Sequence, residues 1–372
     1  MRAAMLEQFG QPLTVTTVPD PVAGPGEVLV DVLATCVLPY AAEVFGGVRN
    51  YPLEPPVIPG MGGVGRVVSA GPDATRLRPG DLVWCDPTVR SRDDARTPDI
   101  TLQGWSSRGP GGLRLSRYFH HGSFAERMVV PTENAVPLGD VDGEDVDGED
   151  VAGWASLAVP LVPYGGLLAA DLRAGETLLV SGATGNFGGA AVAVGLAMGA
   201  SRVVAPGRNR AAATRLRDLF GDRVRPVELT GDAEVDRQAM VAAGGGPVDV
   251  VLDILPPAAD TRVVRTAAMT VREFGRVVLM GGVGMLGGSD LALPYPWLMR
   301  NSVTVRGQWM CPRTAVAGLI ELVRCGLLDL SVETVTTFGL DDVAAAVEHA
   351  AAHPAAFDRT VVLPQRRSPL PR

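Results

Sequence analysis

The stretch Ser181–Asn209, SGATGNFGGAAVAVGLAMGASRVVAPGRN, decides the fold. ETLLVSG (176–182) runs into it as an apolar strand, NFGGAAVAVGLAMG is a helix, and SRVVAPG is a second strand. Strand, glycine-rich turn, helix and strand make a βαβ unit, the context in which a dinucleotide fingerprint is meaningful. The turn is Gly182, Ala183, Thr184, Gly185, Asn186, Phe187 and Gly188, with Ala183 where the first glycine of G-x-G-x-x-G would stand. Its glycines allow a tight turn and close approach of backbone to a pyrophosphate, and the helix N-terminus offers unpaired N–H groups to the phosphates.

The end of the second strand distinguishes the two dinucleotides. An NAD site places a carboxylate there to accept the adenosine ribose hydroxyls, and that charge repels a 2′-phosphate. Here Gly207 leaves space, Arg208 and Arg210 bring positive charge, and Asn209 brings donors. Arginine suits phosphate through its planar fork of donors, so the expected cofactor is NADP(H).

Outward from this unit the alternation continues through RAAATRLRDLFG, VDVVLDIL, GRVVLMGG and SVTVRGQWM. Apolar strands alternating with helices predict a parallel sheet covered on both faces. The first 140 residues read instead as strands cut by Gly and Pro: EVLVDVLAT, GVGRVVSAG, DLVWCD and FAERMVVP. Residues 86–120 read as a long polar loop, and DVDGEDVDGED (140–150) as a solvated, duplicated linker. The linker lacks the D-x-[DN]-x-[DN]-G spacing of a calcium loop. TAVAGLIELVRCGLL (314–328) is an amphipathic helix, and TVVLPQ (360–365) a strand that could return to the first domain.

Composition bounds the function. The 372 residues suffice for two domains, and 47% hydrophobic with 20% charged residues is a globular composition. A net charge of -8 argues against nucleic acid or an anionic membrane as partner. All 33 basic residues are arginine, which excludes lysine chemistry such as Schiff bases. The four cysteines are widely spaced, without C-x-x-C, so neither a disulfide framework nor a zinc ribbon is expected, and a cytoplasmic setting is the default.

The whole chain resembles the medium-chain dehydrogenase/reductase superfamily, the zinc alcohol dehydrogenases and quinone oxidoreductases. The resemblance rests on GPGEVLVDVLAT, PPVIPGMGGVGRVVSAGPDATRLRPGDLV, GSFAERMVVP, the A-x-G-x-x-G turn, GRVVLMGG and TVRG, which occur in the family's order. It implies an α/β chain: a GroES-like β-barrel catalytic domain (1–159 and 311–372), an inserted Rossmann domain (160–310) with a doubly wound parallel sheet, an active site between them, and a homodimer. It also implies that Gly281, Gly282 and Val283, with Trp309 and Met310, face the nicotinamide.

The departures from the pattern define the branch. Zinc-dependent members carry a Cys-His pair where this chain has Leu38-Pro39, a His-Glu pair at Met61-Gly62, and a ligand cysteine at Ala158. The four-cysteine lobe is also gone, so no metal site and no zinc is expected. Without a Lewis acid, hydride transfer suits an acceptor that delocalises negative charge, such as a quinone or an enone, with a hydrogen-bond donor for the developing oxyanion. Zinc-free relatives are quinone oxidoreductases and enoyl reductases. Tyr40 is the candidate donor, at the position of the family's relay hydroxyl. Leu38, Met61, Asp86, Arg90, Ala158 and Trp309 are candidate pocket residues, Asp86 and Arg90 being read either as an ion pair facing substrate or as an anchor. Trp84, Trp105, Tyr118, Trp297, Trp309 and Met310 are candidates for a flat apolar pocket. The competing readings are a carbonyl reductase or alcohol dehydrogenase and a cofactor-binding protein without turnover.

Overall fold

The computed structural model describes residues 1–139, 148 and 151–366. The expected linker at 140–150 therefore lies, Gly148 excepted, outside the described residues. In chain order, the first part carries β1 (Arg2–Met5), β2 (Thr14–Thr17), β3 (Glu27–Val37), α1 (Ala41–Phe45), β4 (Gly63–Ala70), β5 (Leu82–Cys85), β6 (Thr88–Arg90), β7 (Ile100–Leu102), β8 (Ser106–Arg108), α2 (Gly109–Ser116), β9 (Arg127–Pro131), β10 (Ala135–Pro137) and α3 (Ala152–Ala155). The middle carries α4 (Leu161–Ala169), β11 (Thr177–Ser181), α5 (Asn186–Ala197), β12 (Arg202–Gly207), α6 (Arg210–Phe220), β13 (Val224–Glu228) and α7 (Ala233–Gly244). It continues with β14 (Val248–Asp253), α8 (Thr261–Ala268), β15 (Val271–Leu279), α9 (Tyr295–Arg300), β16 (Thr304–Gly307) and α10 (Ala315–Arg324). The tail adds β17 (Thr334–Gly339), α11 (Val343–Ala352) and β18 (Asp358–Leu363).

Two units result. The first is Met1–Ala158, Glu333–Pro354 and Asp358–Arg372; the second is Val159–Val332 with Ala355–Phe357. The boundary expected after residue 310 moves to 332. The physical reason is α10, whose apolar face packs on α4 of the second unit; an amphipathic pattern shows that a face is buried, not against what.

In the first unit a seven-stranded sheet runs β10-β5-β4-β3-β18-β17, with β9 also on β3. Alternating β3 residues Val28, Val30 and Val32 are buried with Val67, Val83, Met128 and Val130 in one core cluster. The tail strand returns as expected, β18 pairing antiparallel with β3 (Val361 opposite Cys36). Arg359 on β18 is buried and donates from Nε to Glu333 Oε1 at 2.8 Å. A buried charge is tolerable when so paired.

The 86–120 segment is more ordered than a polar loop. It holds the small antiparallel sheet β6-β7-β8 and α2. Strands of three residues are too short to show periodicity, and Trp105 supplies a core that only long-range contacts reveal: it is buried edge-on against Phe45 at 5.6 Å between ring centroids.

The second unit is a six-stranded, all-parallel sheet in the order β13-β12-β11-β14-β15-β16. The order reverses between β11 and β14, the position where ligands bind doubly wound sheets. Helix α5 is buried nearly all round, which its small residues permit: Gly195 faces Leu178 and Gly189 faces Ala356 too closely for a Cβ. No single helix among the described residues is long and apolar enough to cross a membrane.

Candidate functional site

The glycine turn sits where the sequence places it, between β11 and α5. Gly182 has φ +94, a conformation glycine adopts without strain. A Cβ on Gly188 would clash with the Gly182 carbonyl oxygen and with Ala183 Cα, so Gly188 is what lets the helix start directly on the turn. Gly185 is the extended N-cap of α5, exposed, and no side chain caps the helix there. Its first-turn N–H groups are those an anion would use. Asn186 faces the other way: it is buried and its Nδ2 donates to Ala355 O at 3.1 Å. Phe187 is half-buried.

At the end of β12, Gly207 has a role the sequence did not reveal. Its Cβ would lie 2.6 Å from Thr184 Cγ2, so the space it leaves is taken by the turn's own threonine. Asn209 caps α6, its side chain accepting from Ala212 N at 3.1 Å. Arg208 and Arg210 are exposed. Glu228, the last residue of β13, is paired in register with Gly207 and lies 3.8 Å from Arg210 Nη1. Sequence reading missed Glu228, because only the pairing of β12 with β13 puts it there.

The segments expected to face the nicotinamide follow β15 and β16. Gly281 and Gly282 are required by close packing on the 253–257 segment: a Cβ on Gly281 would be 2.7 Å from Asp253 Oδ2, and one on Gly282 would be 2.8 Å from Pro257 Cγ. Gly281 and Val283 line a cavity of about 400 Å³ with Asp253, Thr261, Leu279 and Asp290 among its other walls. Trp309 is 39% exposed, whereas Met310 is buried at φ 58, its carbonyl received by the glycine face of α4 at Gly165.

Asp253 is the functional candidate that sequence reading missed. It closes the apolar strand VDVVLD and is register-paired with Ser181, so the last residues of β11 and β14 stand side by side at the switch point. Burial pushes its carboxyl from 3.8 up to about 6, with the Ser181 hydroxyl and the Leu255 N–H pulling the other way. A carboxylate ending a hydrophobic strand was the available signal.

In the first unit, Tyr40 lies at the N-terminus of α1 in a ring cluster, edge-on to Trp105 at 5.8 Å and to Tyr51 at 6.4 Å. The Arg49 guanidinium sits over its ring, 4.1 Å from the centroid, while Arg49 Nε donates to Glu43 Oε2 at 2.7 Å. Burial, and next the neighbouring Tyr51, push the Tyr40 phenol well above its usual value, with Arg49 opposing. The phenol is therefore held protonated, as a donor, across the ordinary pH range.

Leu38, Met61 and Ala158 are all buried apolar side chains. Beside Met61, Thr35 Oγ1 donates to Gly62 O at 2.9 Å and meets Ser123 Oγ at 2.7 Å. Asp86 and Arg90, read either as facing substrate or as an anchor, both bond to Thr88. Asp86 Oδ1 accepts from Thr88 N at 2.8 Å, Arg90 Nη1 donates to Thr88 O at 3.0 Å, and the two charges are 4.0 Å apart and buried.

The candidates for a flat apolar pocket differ widely in burial. Trp84 and Trp105 are core, Tyr118 is 71% exposed, and Trp297 packs on the Rossmann core. The His120-His121 pair is also structural. His121 accepts from Ile58 N at 3.2 Å, and burial, with His120 beside it, lowers its pKa to about 4, so it stays neutral. Among the described residues no three His, Cys, Asp or Glu side chains form a metal-holding group.

The chain matches the alcohol dehydrogenase GroES-like domain over residues 24–140. An alcohol dehydrogenase of Rhizobium meliloti is 29% identical over 333 residues, 86% of this chain and 87% of that one. A solved thermostable alcohol dehydrogenase from Pyrobaculum aerophilum shares the fold with TM-score 0.72 at 24% identity, over 98% of this chain and 99% of its own. So does a putative zinc-binding dehydrogenase from Sinorhizobium meliloti bound to NADP, with TM-score 0.75 at 21% identity over 98% and 99%. The GroES-like match and the relatives named alcohol dehydrogenase are similarities to oxidoreductases of the medium-chain dehydrogenase/reductase superfamily.

Proposed function

We propose that this protein is an NADPH-dependent, zinc-independent reductase of a quinone or an α,β-unsaturated carbonyl. The observation that carries the reading is the pairing of a tight glycine turn at a helix N-terminus with buried side chains at Leu38, Met61 and Ala158 that offer no zinc ligand. Leucine and alanine carry no donor atom, and a thioether is a poor ligand for zinc.

The residues fit the cofactor in chemistry. The N–H groups at the start of α5 would hold the pyrophosphate, and the exposed Arg208 and Arg210 the 2′-phosphate. Once bound, the dinucleotide supplies a hydride. The chain's own part is to fix the ring against the glycine pair 281–282 and to hold a donor for the oxygen that gains charge. Tyr40 is that donor: its phenol stays protonated and can place its proton on an enolate oxygen or carbon.

Glu228 draws on Arg210, so Arg208 carries the preference for NADPH. Arg208→Ala is expected to weaken NADPH roughly 10- to 100-fold, the loss of one charge-assisted contact, and to leave NADH within about twofold. Fluorescence titration with the two cofactors reads this; equal losses for both would remove Arg208 from the site.

The assembly we propose is a homodimer. Strand β16 ends its sheet fully exposed, and Tyr295, Met299, Val305 and Trp309 are exposed apolar side chains around it. An uncovered edge of this kind pairs readily with a second copy. Sedimentation of the purified chain should give twice the monomer mass, and Val305→Arg should halve it. The setting we propose is cytoplasmic, with no nucleic-acid or membrane partner.

The deciding experiment is anaerobic NADPH oxidation by the metal-stripped protein with 1,4-quinones and with 2-alkenones. Turnover of either supports the proposal. Activity only after zinc is restored, with aldehydes or ketones, would make it an alcohol dehydrogenase like its named relatives. Tight NADPH binding without turnover would make it a binding protein.

A further inference from the structure

Asp253 lines a cavity, and although the Ser181 hydroxyl and the Leu255 N–H reach its carboxyl, one of the two carboxyl oxygens is left unsatisfied. The residue is 3% exposed, and Oδ1 has no hydrogen-bond partner among the described residues. A buried polar atom left in this state is costly unless something outside the protein completes it. The cavity that Asp253 lines is about 400 Å³ and also carries the Thr261 and Ser289 side chains, with Val264, Leu279 and Leu291 as apolar walls. The other ionisable group lining it is Asp290, which is exposed. No cation lines the cavity, so an anionic ligand group is disfavoured and a donor is favoured.

Sheet order says which part of a dinucleotide can reach it. The strands run β12, β11, β14, β15. If the adenosine end lies at Gly207 on β12 and the pyrophosphate at the turn after β11, the remaining half extends over the ends of β14 and β15. Asp253 ends β14, and Gly281, just past β15, lacks the Cβ that would otherwise crowd its carboxyl.

We propose that Asp253 is a binding residue for the nicotinamide half of the dinucleotide, accepting a hydrogen bond at Oδ1 from an N–H or O–H of that half. This rests on the dinucleotide reading above and adds to it a residue and a ligand chemistry. Two donors share the chemistry: the carboxamide N–H and the nicotinamide-ribose hydroxyls.

The test is equilibrium binding, independent of turnover, of NADPH and of 2′,5′-ADP, which lacks the nicotinamide half, to the wild-type chain, Asp253→Leu and Asp253→Asn. Asp253→Leu should bind NADPH roughly 5- to 100-fold more weakly, the range for an acceptor removed from a buried site. It should bind 2′,5′-ADP unchanged, which also shows that the variant is folded. Asp253→Asn, which keeps an acceptor oxygen, should recover most of the affinity. The 3-acetylpyridine analogue of NADP distinguishes the donors: if the leucine variant loses nothing with it, the carboxamide N–H is the donor; an undiminished loss assigns the ribose. Equal weakening of NADPH and 2′,5′-ADP, or no weakening of either, would overturn the proposal. A wild-type chain that binds neither ligand would overturn the dinucleotide reading itself, a distinct failure.

Discussion

Tyr40→Phe is expected to lower turnover of a 2-alkenone with NADPH by roughly 10²- to 10⁴-fold, the usual contribution of a positioned acid. The reason is that the variant keeps the ring, its contacts with Trp105 and Tyr51, and the surface on which Arg49 rests, and removes only the proton donor. Packing should therefore survive, and the melting temperature should move little. NADPH binding, set by the other unit's turn, should be unchanged. A 1,4-quinone delocalises charge without a protein proton, so its reduction should fall far less. The comparison of the two acceptors in one variant decides the donor's role. Equal, small losses for both would leave Tyr40 as a packed aromatic.

Gly188→Ala is expected to have the second large effect, on binding and stability together. Its new methyl would collide with the Gly182 carbonyl and with Ala183, both backbone, so neither can swing away as a side chain could. The helix start must back off the turn. Strain of this kind costs about 1–3 kcal/mol, and the α5 N–H groups would no longer converge where a pyrophosphate sits. Weakening of NADPH by at least tenfold, with a lowered melting temperature, is the expected pair of readings. Gly307→Ala is the control: nothing lies within 4 Å of its Cβ position, so the same substitution should be silent. A silent Gly188→Ala would mean that the turn tolerates displacement and is not a tight phosphate cradle.

Much of the fold was legible because it is written locally. Alternation of apolar strand and helix from 176 onward specifies a parallel sheet whatever surrounds it, since each strand must bury both faces. The glycines of 182–188 are legible for the same reason: the strand–turn–helix join permits no side chain at Gly188. The returning strand at 360–365 was visible as an apolar run, although its partner β3 was not. The substituted ligand positions Leu38, Met61 and Ala158 were readable through family resemblance, one residue at a time.

Other features depend on which segments meet, and no local pattern records that. The three short strands of 88–108 are ordered by Trp105 packing on α1's Phe45, sixty residues earlier in the chain. Asp86 and Arg90 were read two ways because charge spacing alone cannot tell a buried anchor from a substrate contact; their hydrogen bonds to Thr88 appear only in the folded chain. Gly207 looked like room for a phosphate until Thr184 filled it, and Glu228 came beside it through the pairing of β12 with β13. The domain boundary moved to 332 because α10 found its apolar partner in α4.

By itself, then, the sequence determined the alternating sheet and the glycine turn, both consequences of residue type and short-range sterics. Only the tertiary structure decided which polar atoms are buried without a partner, Asp253 Oδ1 among them. In the sequence Asp253 is a carboxylate at the end of a hydrophobic strand, with nothing local to show its burial. It becomes a candidate ligand contact because β11, β14 and the glycine after β15 enclose its carboxyl, and enclosure makes an unused hydrogen bond expensive.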